Sequence, residues 1–266
     1  MDTLVASTRV TCYANRGGAG NDLIYGFAHG HGCRLLYAED YEIGDEPGIP
    51  LVWGVLRGSD FIVDDAINNG RNFLYCDHAY FDRGHLKNYR ILLNRHGLGN
   101  LRNCDFDRQR LLNVRLSPWR KTGSHILVCP PTEYFMNAHH CPMWLENTLS
   151  TLQAHTDRPI IVRGKPSADA PQAPLSDQLL DCHALVTHSS NIAVEAIIAG
   201  VPAVVHSDCA AISVSESRLD RIEKPKMPDR ELWLANLAYT QFTFHEILNG
   251  TVIDLINTYH AFPELE

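Results

Sequence analysis

The sequence predicts an α/β protein made of two Rossmann-like halves, each built on a parallel sheet, that face each other across a cleft. Short apolar runs alternate along the chain with segments of helical pattern, which favours parallel strands covered by helices on both faces. Polar or glycine-rich turns follow several of these runs, at the strand end where open α/β sheets bind ligands. The length of 266 residues is sufficient for one large core or two small ones.

The individual elements follow from apolar runs and from helical spacing between turn residues. Each predicted strand is a run of aliphatic or aromatic residues, and these strands cover 10–13, 34–37, 51–55, 73–77, 91–93, 126–129, 160–163, 184–187 and 203–206. The predicted helices cover 21–29, 60–68, 141–155, 176–181, 190–199, 229–238 and 251–260. The helix at 190–199 has a clear stop, because Gly200 and Pro202 follow it.

The boundary between the halves is predicted within LSPWRKTGSH, where Pro118, Gly123 and Ser124 interrupt the pattern before a new strand begins. The two domains are therefore expected to cover 1–120 and 121–266.

Composition is that of a soluble globular protein, with 45% hydrophobic and 20% charged residues. No apolar run approaches the roughly 18 residues of a membrane span, and the first residues lack the pattern of a signal peptide. Eight cysteines occur singly, without a CxxC pair, which is typical of reduced, buried thiols. We therefore expect a cytoplasmic protein without a membrane partner.

Charge is unevenly distributed along the chain, whose net charge is −8. Between positions 83 and 121 there are ten basic residues against Asp105 and Asp107, so this basic stretch carries +8. Such a field attracts anions, with nucleic acid or phosphorylated substrates first. The alternative is a solvated surface whose charges pair with the acidic remainder of the chain.

A polar turn at 188–191 carries the most specific signal, because it joins a buried strand directly to a helix. A helix in that position presents its free N–H groups and the positive end of its dipole to the strand's carboxyl end, where phosphates bind. The short side chains of Ser189, Ser190 and Asn191 add donors without bulk. Glu195 lies about one turn further along the helix, where a carboxylate can accept both hydroxyls of a ribose.

The pattern S-S-N-x3-E-A-x3-G-x-P, from Ser189 to Pro202, resembles the donor-binding motif in the C-terminal half of GT-B glycosyltransferases. Related sugar-nucleotide epimerases share this motif. The preceding strand ends in Arg163-Gly164-Lys165-Pro166, which resembles the basic position that these families place near the donor phosphates. The resemblance covers roughly residues 125–206 and implies these donor-binding residues: Arg163, Lys165, His188, Ser189, Ser190, Asn191 and Glu195.

Several further expectations come from this resemblance. It implies a minimal GT-B fold in which 1–120 binds the acceptor and 121–266 binds a nucleotide-sugar, with terminal helices crossing back to the first domain. The nucleotide-sugar is a co-substrate, and no permanently bound cofactor is expected. The histidine pairs at 29–31 and 139–140 lack the spacing of a tetrahedral site, so no metal site is predicted.

The segment LANLAYTQFT, from Leu234 to Thr243, is similar to a run near the end of small bacteriophage-encoded proteins. Thr243 is a candidate cap for a following turn. With the basic stretch, this likeness suggests a hydroxymethylated base in DNA as the acceptor, in which case the compartment would be the host cytoplasm. The overall acidity of the chain opposes a DNA acceptor, and a glycan or a small metabolite would also fit.

Two segments of the first half are candidates for the acceptor side. NRGGAGND follows the first strand, and its glycines permit positive φ and close approach of a ligand to the backbone. FLYCDHAYFDRG places charged and aromatic residues just beyond the fourth strand. We expect acceptor contacts from Gly17, Gly18, Asn21, Tyr80, Arg83 and Arg90.

Glycosyl transfer needs a group that takes the proton of the acceptor hydroxyl. Asp77 or His78 could be that base, and Asp22 in the glycine segment is a third candidate. The leading hypothesis is thus a glycosyltransferase acting on an acceptor hydroxyl. The alternatives are a sugar-nucleotide epimerase or hydrolase, and a protein that binds and sequesters a nucleotide or nucleotide-sugar without catalysis.

Overall fold

The computed structural model describes residues 4–18, 20–44, 48–54, 58–166 and 171–265, leaving aside the side chain of Ala138. Ten strands lie in these ranges: β1 (Val10–Ala14), β2 (Arg34–Tyr37), β3 (Ile49–Trp53), β4 (Leu74–His78), β5 (Asn88–Leu93), β6 (His125–Cys129), β7 (Ile160–Val162), β8 (Cys182–Thr187), β9 (Ala203–Val204) and β10 (Gln241–Thr243). Ten α-helices accompany them: α1 (Asn21–His31), α2 (Asp60–Asn68), α3 (Asp107–Leu111), α4 (Glu133–Ala138), α5 (Trp144–Gln153), α6 (Leu175–Leu179), α7 (Ile192–Ile198), α8 (Glu231–Tyr239), α9 (Phe244–Leu248) and α10 (Val252–Ala261).

The nine predicted strands and seven predicted helices all occur; β2 and α2 have the predicted bounds, and the ends of the others are shifted. Position 55, the end of the third predicted strand, lies outside the described residues. Strand β10 and the short helices α3, α4 and α9 are additions to the prediction. None of the helices in the described part of the chain has both the length and the apolar character that a bilayer span requires.

The chain forms two compact units, which differ from the division predicted after residue 120. Unit 1 consists of Met1–Leu112 and Leu234–Glu266, and unit 2 consists of Asn113–Trp233. The carboxyl-terminal segment belongs to unit 1 because β10 pairs with β5, and because Val252, Ile253 and Ile256 of α10 are buried in the core of the first sheet.

Unit 1 contains a six-stranded sheet of order β10-β5-β4-β3-β1-β2. Strands β1 to β4 are parallel and are covered in part by two helices. Leu23 and Phe27 of α1 are buried in one core cluster, and Ile62 and Val63 of α2 are buried in another. Strand β5 is antiparallel to β4, which fits the direct loop between them, since a parallel return needs a longer crossover. The parallel prediction is thus right for the first four strands and wrong for the β5 edge.

Unit 2 contains a four-stranded parallel sheet of order β7-β6-β8-β9. Strand β8 is buried along its whole length, and β6 is buried from its second residue onward. The chain runs from β6 to β7 on one side and then returns to β8 on the other side of β6. The strand order therefore reverses between β6 and β8, and such a reversal leaves a crevice at the carboxyl ends of the strands.

A substitution at Gly200, which follows α7, tests how tightly the end of this helix is packed in unit 2. Its φ is +85°, and a Cβ at this position would lie 2.1 Å from the carbonyl oxygen of Pro118. Gly200→Ala is expected to lower the free energy of unfolding by about 2 kcal/mol, because it combines left-handed strain with a clash against backbone. Gly164→Ala is the matched control, since a Cβ there meets nothing within 4 Å. Equal urea midpoints for the two variants would contradict this account.

Candidate functional site

In unit 2, the predicted donor turn lies at the point where the strand order reverses. Thr187, the last residue of β8, donates its hydroxyl to the carbonyl of Cys129 at 2.6 Å, which ties together the ends of β6 and β8. The turn that follows begins with His188 and leads into α7, as predicted. The carboxyl end of the sheet thus presents this turn at the position where open α/β sheets bind their ligands.

The turn at 188–191 itself offers polar groups at a partly open surface. Ser190 is exposed, Ser189 and Asn191 are half-buried, and the Ser190 hydroxyl accepts a hydrogen bond from the amide of Ile192 at 3.3 Å. The amide of Glu195 donates to the carbonyl of Asn191 at 3.2 Å, which places Glu195 one turn further along, half-buried. The spacing expected between the serine turn and the carboxylate is therefore present.

His188 is the buried member of a ring cluster at this edge. It is 6% exposed and stacks on His206, with ring centroids 4.1 Å apart. The rings of Phe135 and Trp144 lie 5.3 and 6.4 Å from it. Burial, together with the neighbouring His206, lowers the pKa of His188 to about 4, so the ring is neutral at pH 7 and can take part in neutral hydrogen bonds.

A cavity of about 530 Å³ opens beside the cluster. Trp144 lines it together with Met143, Asn147 and Thr148. Because the ring of Trp144 also contacts the ring of His188, the cavity lies next to the ring cluster. This volume lies within the range of small-molecule sites, roughly 300–1,000 Å³. Among the described residues, no group of three or more His, Cys, Asp or Glu side chains is arranged to hold a metal ion.

The two basic residues predicted near the donor phosphates lie in different settings. Arg163 is buried, and its guanidinium donates to the carbonyl of Ala173 at 2.7 Å and to the side chain of Gln178. These bonds anchor the chain leading into α6, so Arg163 has a structural role. Lys165 is exposed and is the member of the pair whose charge is available to a ligand.

In unit 1, the strand order reverses between β1 and β3, and the glycine segment follows β1. Asn21 closes this segment, because its side chain bonds both the amide and the carbonyl of Asn15 at 3.0 and 2.7 Å. Gly17 has a φ of +73°, and a Cβ on Gly18 would lie 2.6 Å from Asn15. The two glycines and Asn21 therefore have structural reasons for their identity, and Ala19 lies outside the described residues.

Asp77, the first candidate base, is held by three donors. Its carboxylate accepts hydrogen bonds from Arg90 at 2.6 Å, from the Tyr75 hydroxyl at 3.0 Å and from the amide of His78 at 2.7 Å. His78 is exposed, and its ring contacts Trp53 edge to face at 5.0 Å. Of the two residues, only His78 presents its side chain openly.

Two of the expected acceptor contacts are interior residues. Tyr80 is fully buried, and the Arg90 guanidinium, 12% exposed, lies 5.2 Å from its ring while pairing with Asp77. The ring and the cation are packed against each other inside unit 1, and the contact of Tyr80 and Arg90 with an acceptor stays a prediction. Arg83 is exposed in the loop that follows.

The basic stretch is divided between exposed and internal side chains. Arg83, Lys87, Arg110, Arg115 and Lys121 are exposed, whereas Arg90, Arg102 and Arg108 are largely enclosed. Arg108 pairs with Glu246, and Arg102 bonds Glu264 and the carbonyls of His260 and Phe262. The stretch is moreover divided between the two units at residue 112. The expectation of one exposed cationic face is therefore not met by Arg90, Arg102 and Arg108.

His85 is a candidate functional residue that sequence reasoning missed. Its Nε2 lies 2.9 Å from Oδ2 of Asp22, the third candidate base, in the first turn of α1. The two side chains are 74% and 60% exposed. They are 63 positions apart, so no local pattern could have paired them.

No protein-family model matches the sequence, and no curated protein matches it either. Solved structures do match. One is Thermosulfurimonas dismutans KpsC, beta Kdo 2,4 transferase, at 11% identity and a TM-score of 0.54, covering 89% of this chain and 92% of that chain. Another is Thermosulfurimonas dismutans KpsC, beta Kdo 2,7 transferase, at 13% identity and a TM-score of 0.53, covering 94% and 98%. The chain therefore has the two-half Rossmann-like α/β fold of these glycosyltransferases.

Proposed function

We propose that the protein transfers a sugar from a nucleotide-sugar to the hydroxyl of an acceptor. The observation that carries this proposal is the position of the serine turn, which follows β8 at the reversal of strand order in unit 2. Phosphates bind at such places because helix amides and the helix dipole converge there. The fold shared with two Kdo transferases supports the same activity.

The residues around the turn have complementary tasks in this proposal. Ser189, Ser190 and Asn191 hold the donor phosphate, with Lys165 supplying positive charge. Glu195 accepts the ribose hydroxyls, and the neutral ring of His188 borders the site. The adjoining cavity beside Trp144 gives room for a part of the donor beyond its phosphate.

The two structural neighbours suggest one candidate for the sugar. Both are named as beta Kdo transferases, so an activated nucleotide form of Kdo belongs on the donor panel beside UDP-, GDP- and ADP-sugars. A thermal-shift panel across these compounds identifies the donor, because a ligand that binds only the folded state raises the melting temperature, and at equal concentration the tighter ligand raises it more.

The acceptor is proposed as a glycan or metabolite hydroxyl in preference to a base in DNA. Part of the charge that favoured nucleic acid is used inside unit 1, in the Arg90–Asp77 and Arg108–Glu246 pairs. DNA binding at low salt tests the alternative. An affinity that falls steeply with salt would restore the nucleic-acid acceptor, since release of counterions has that signature.

Glu195→Ala tests the donor site. Loss of the ribose contacts is expected to weaken nucleotide-sugar binding by at least about tenfold, because hydrogen bonds to a charged acceptor contribute roughly 1.5–3 kcal/mol each. The measurement is isothermal titration with the donor that the panel selects. Asp181→Ala is the matched control, because this exposed carboxylate lies at the opposite, amino end of β8. Unchanged affinity in Glu195→Ala would remove the donor assignment.

Turnover separates the transferase from its rivals. A transferase forms a glycosylated acceptor, whereas an epimerase or hydrolase changes the donor without any acceptor. Tight binding of a nucleotide-sugar with no turnover under either condition would instead indicate a sequestering protein.

A further inference from the structure

We propose that His85 is the general base of the transfer reaction and that Asp22 is the residue that positions it. This inference rests on the proposed function, since a base is needed only if an acceptor hydroxyl is glycosylated. Its starting point is the contact of 2.9 Å between His85 Nε2 and Asp22 Oδ2. The pair lies at the carboxyl side of the first sheet, just after the glycine segment that follows β1.

Asp22 is fixed by the segment that precedes it. Gly20, at the N-cap of α1, has a φ of +85°, and a Cβ there would lie 2.0 Å from the indole of Trp53. The chain therefore enters α1 pressed against the ring of Trp53, at the end of β3. Asp22 sits in the first turn of an eleven-residue helix, where the dipole stabilises a carboxylate. Its negative charge is thus held at the reversal of strand order in unit 1.

His85 lies in a loop that is held at both ends. On the amino side, the fully buried Gln241 side chain accepts from the amide of Tyr80 at 2.9 Å and donates to the carbonyl of Phe81 at 3.1 Å. On the carboxyl side, the amide of Leu86 donates to the Tyr89 hydroxyl at 3.1 Å. The loop therefore presents His85 to Asp22 from a fixed frame.

The same loop contains two residues in a costly backbone conformation. Asp82 and Leu86 have φ values of +47° and +57°, in the left-handed region that residues other than glycine seldom occupy. Asn88 secures the first of them, because its side-chain amide donates to the carbonyl and to the carboxylate of Asp82, both at 3.0 Å. Backbone strain of this kind is found at functional sites, where the surroundings enforce a particular side-chain position.

The chemistry of the His85–Asp22 pair determines which ring nitrogen of His85 carries the hydrogen. An ionised carboxylate can only accept hydrogen bonds, so Nε2 of neutral His85 carries the ring hydrogen and donates it to Asp22. Nδ1 then holds the lone pair. This is the relation in which a carboxylate selects the tautomer of a histidine base and stabilises the imidazolium that forms.

The transfer step balances with this assignment. The acceptor oxygen forms a bond to the anomeric carbon and gives its proton to Nδ1 of His85. The bond between the anomeric carbon and the donor phosphate breaks, and its electron pair leaves with the phosphate oxygen. The resulting His85 imidazolium, stabilised by Asp22, returns its proton to solvent before the next turnover.

The other two candidates are less suited to this task. The carboxylate of Asp77 already accepts three hydrogen bonds, one of them from the cation of Arg90. His78 is open to solvent, but the carboxylate next to it in sequence accepts from its backbone amide and pairs with Arg90. The carboxylate of Asp22, in contrast, lies 2.9 Å from a ring nitrogen of His85, so this pair joins a histidine directly to a carboxylate.

The experiment measures turnover and donor binding in His85→Ala, Asp22→Asn and Asp22→Glu. His85→Ala is expected to lower kcat by about 10²–10⁴-fold, as loss of a general base does, with donor affinity changed by less than about twofold. Added imidazole should restore part of this turnover. Asp22→Asn should lower kcat by at least about tenfold with KM unchanged, because an amide can donate to the ring and permit the wrong tautomer. Asp22→Glu, which keeps the carboxylate, should retain more activity than Asp22→Asn.

His29→Ala is the matched control, since His29 is exposed on the same helix as Asp22. It should leave kcat unchanged. Transfer by the wild-type protein together with native kcat in His85→Ala would overturn the base assignment and leave the proposed function standing. Absence of any transfer by the wild-type protein, with every donor on the panel, would overturn both. Loss of donor binding in His85→Ala would place His85 in the binding site and also overturn its role as base.

Discussion

Glu246→Gln is expected to lower the free energy of unfolding by about 3–5 kcal/mol, because it leaves a buried guanidinium without its counter-charge. Arg108 is 4% exposed and pairs with Glu246, which is 14% exposed. Arg108 also donates to the carbonyl of Gln241 at 2.9 Å, so the pair holds β10 in unit 1. The same carboxylate accepts from the amide and hydroxyl of Thr243, which forms the predicted cap of α9.

Urea unfolding followed by circular dichroism measures this loss. Asp220→Asn is the matched control, because Arg218 and Asp220 also form an ion pair but are 61% and 37% exposed. An exposed pair contributes little, since solvent screens its charges, so this variant should unfold close to the wild-type midpoint. Similar midpoints for the two variants would show that burial does not distinguish the pairs.

The dependence of stability on pH is a second test of the Arg108–Glu246 pair. Burial alone would raise the pKa of Glu246, but hydrogen bonds from Arg108 and Thr243 hold it below the ordinary value of 4.5. A carboxyl whose pKa is lowered by folding stabilises the protein above its unfolded pKa, and that stabilisation is lost as the pH falls through the folded value. The difference between wild type and Glu246→Gln should therefore shrink as the pH falls below about 4.5.

The strands and longer helices could be predicted because their signals are local. Apolar runs and helical spacing locate β8 and α7 within two residues, and Gly200 marks the end of α7. Strand β10 has only three residues, and its pairing with β5 joins positions about 150 apart, so no local pattern marks it. The short helices α3 and α9 have five residues each, too few for a periodic signal.

In the candidate site, too, contacts between residues close in sequence could be predicted, whereas contacts between distant residues could not. The serine turn and Glu195 lie within one strand–turn–helix passage, and their spacing was readable from sequence. The contacts of Arg108 with Glu246 and of His85 with Asp22 join positions 138 and 63 apart. A count of basic residues cannot show that a cation is buried, which is why the basic stretch suggested an exposed face.

Asp77→Asn is expected to lower the free energy of unfolding by about 3 kcal/mol, because Arg90 then stays buried without its counter-charge. Arg90 is 12% exposed, and its guanidinium lies 5.8 and 5.2 Å from the rings of Tyr75 and Tyr80. An asparagine can keep one acceptor oxygen for these donors but supplies no negative charge. His78→Ala, in contrast, removes an exposed ring and should cost little stability.

The stability and the kcat of Asp77→Asn must be measured together. Loss of a structural carboxylate lowers the stability, whereas loss of a catalytic carboxylate lowers kcat. If Asp77 stabilises Arg90, the urea midpoint falls while kcat, expressed per folded molecule under conditions where the variant is folded, stays near that of the wild type. If Asp77 takes the acceptor proton, kcat falls by about 10²–10⁴-fold even where the variant is fully folded. That second outcome would move the base from His85 to the end of β4. The first outcome leaves Asp77 and Arg90 as a buried pair that holds the carboxyl end of β4 to β5, beside the loop that carries His85.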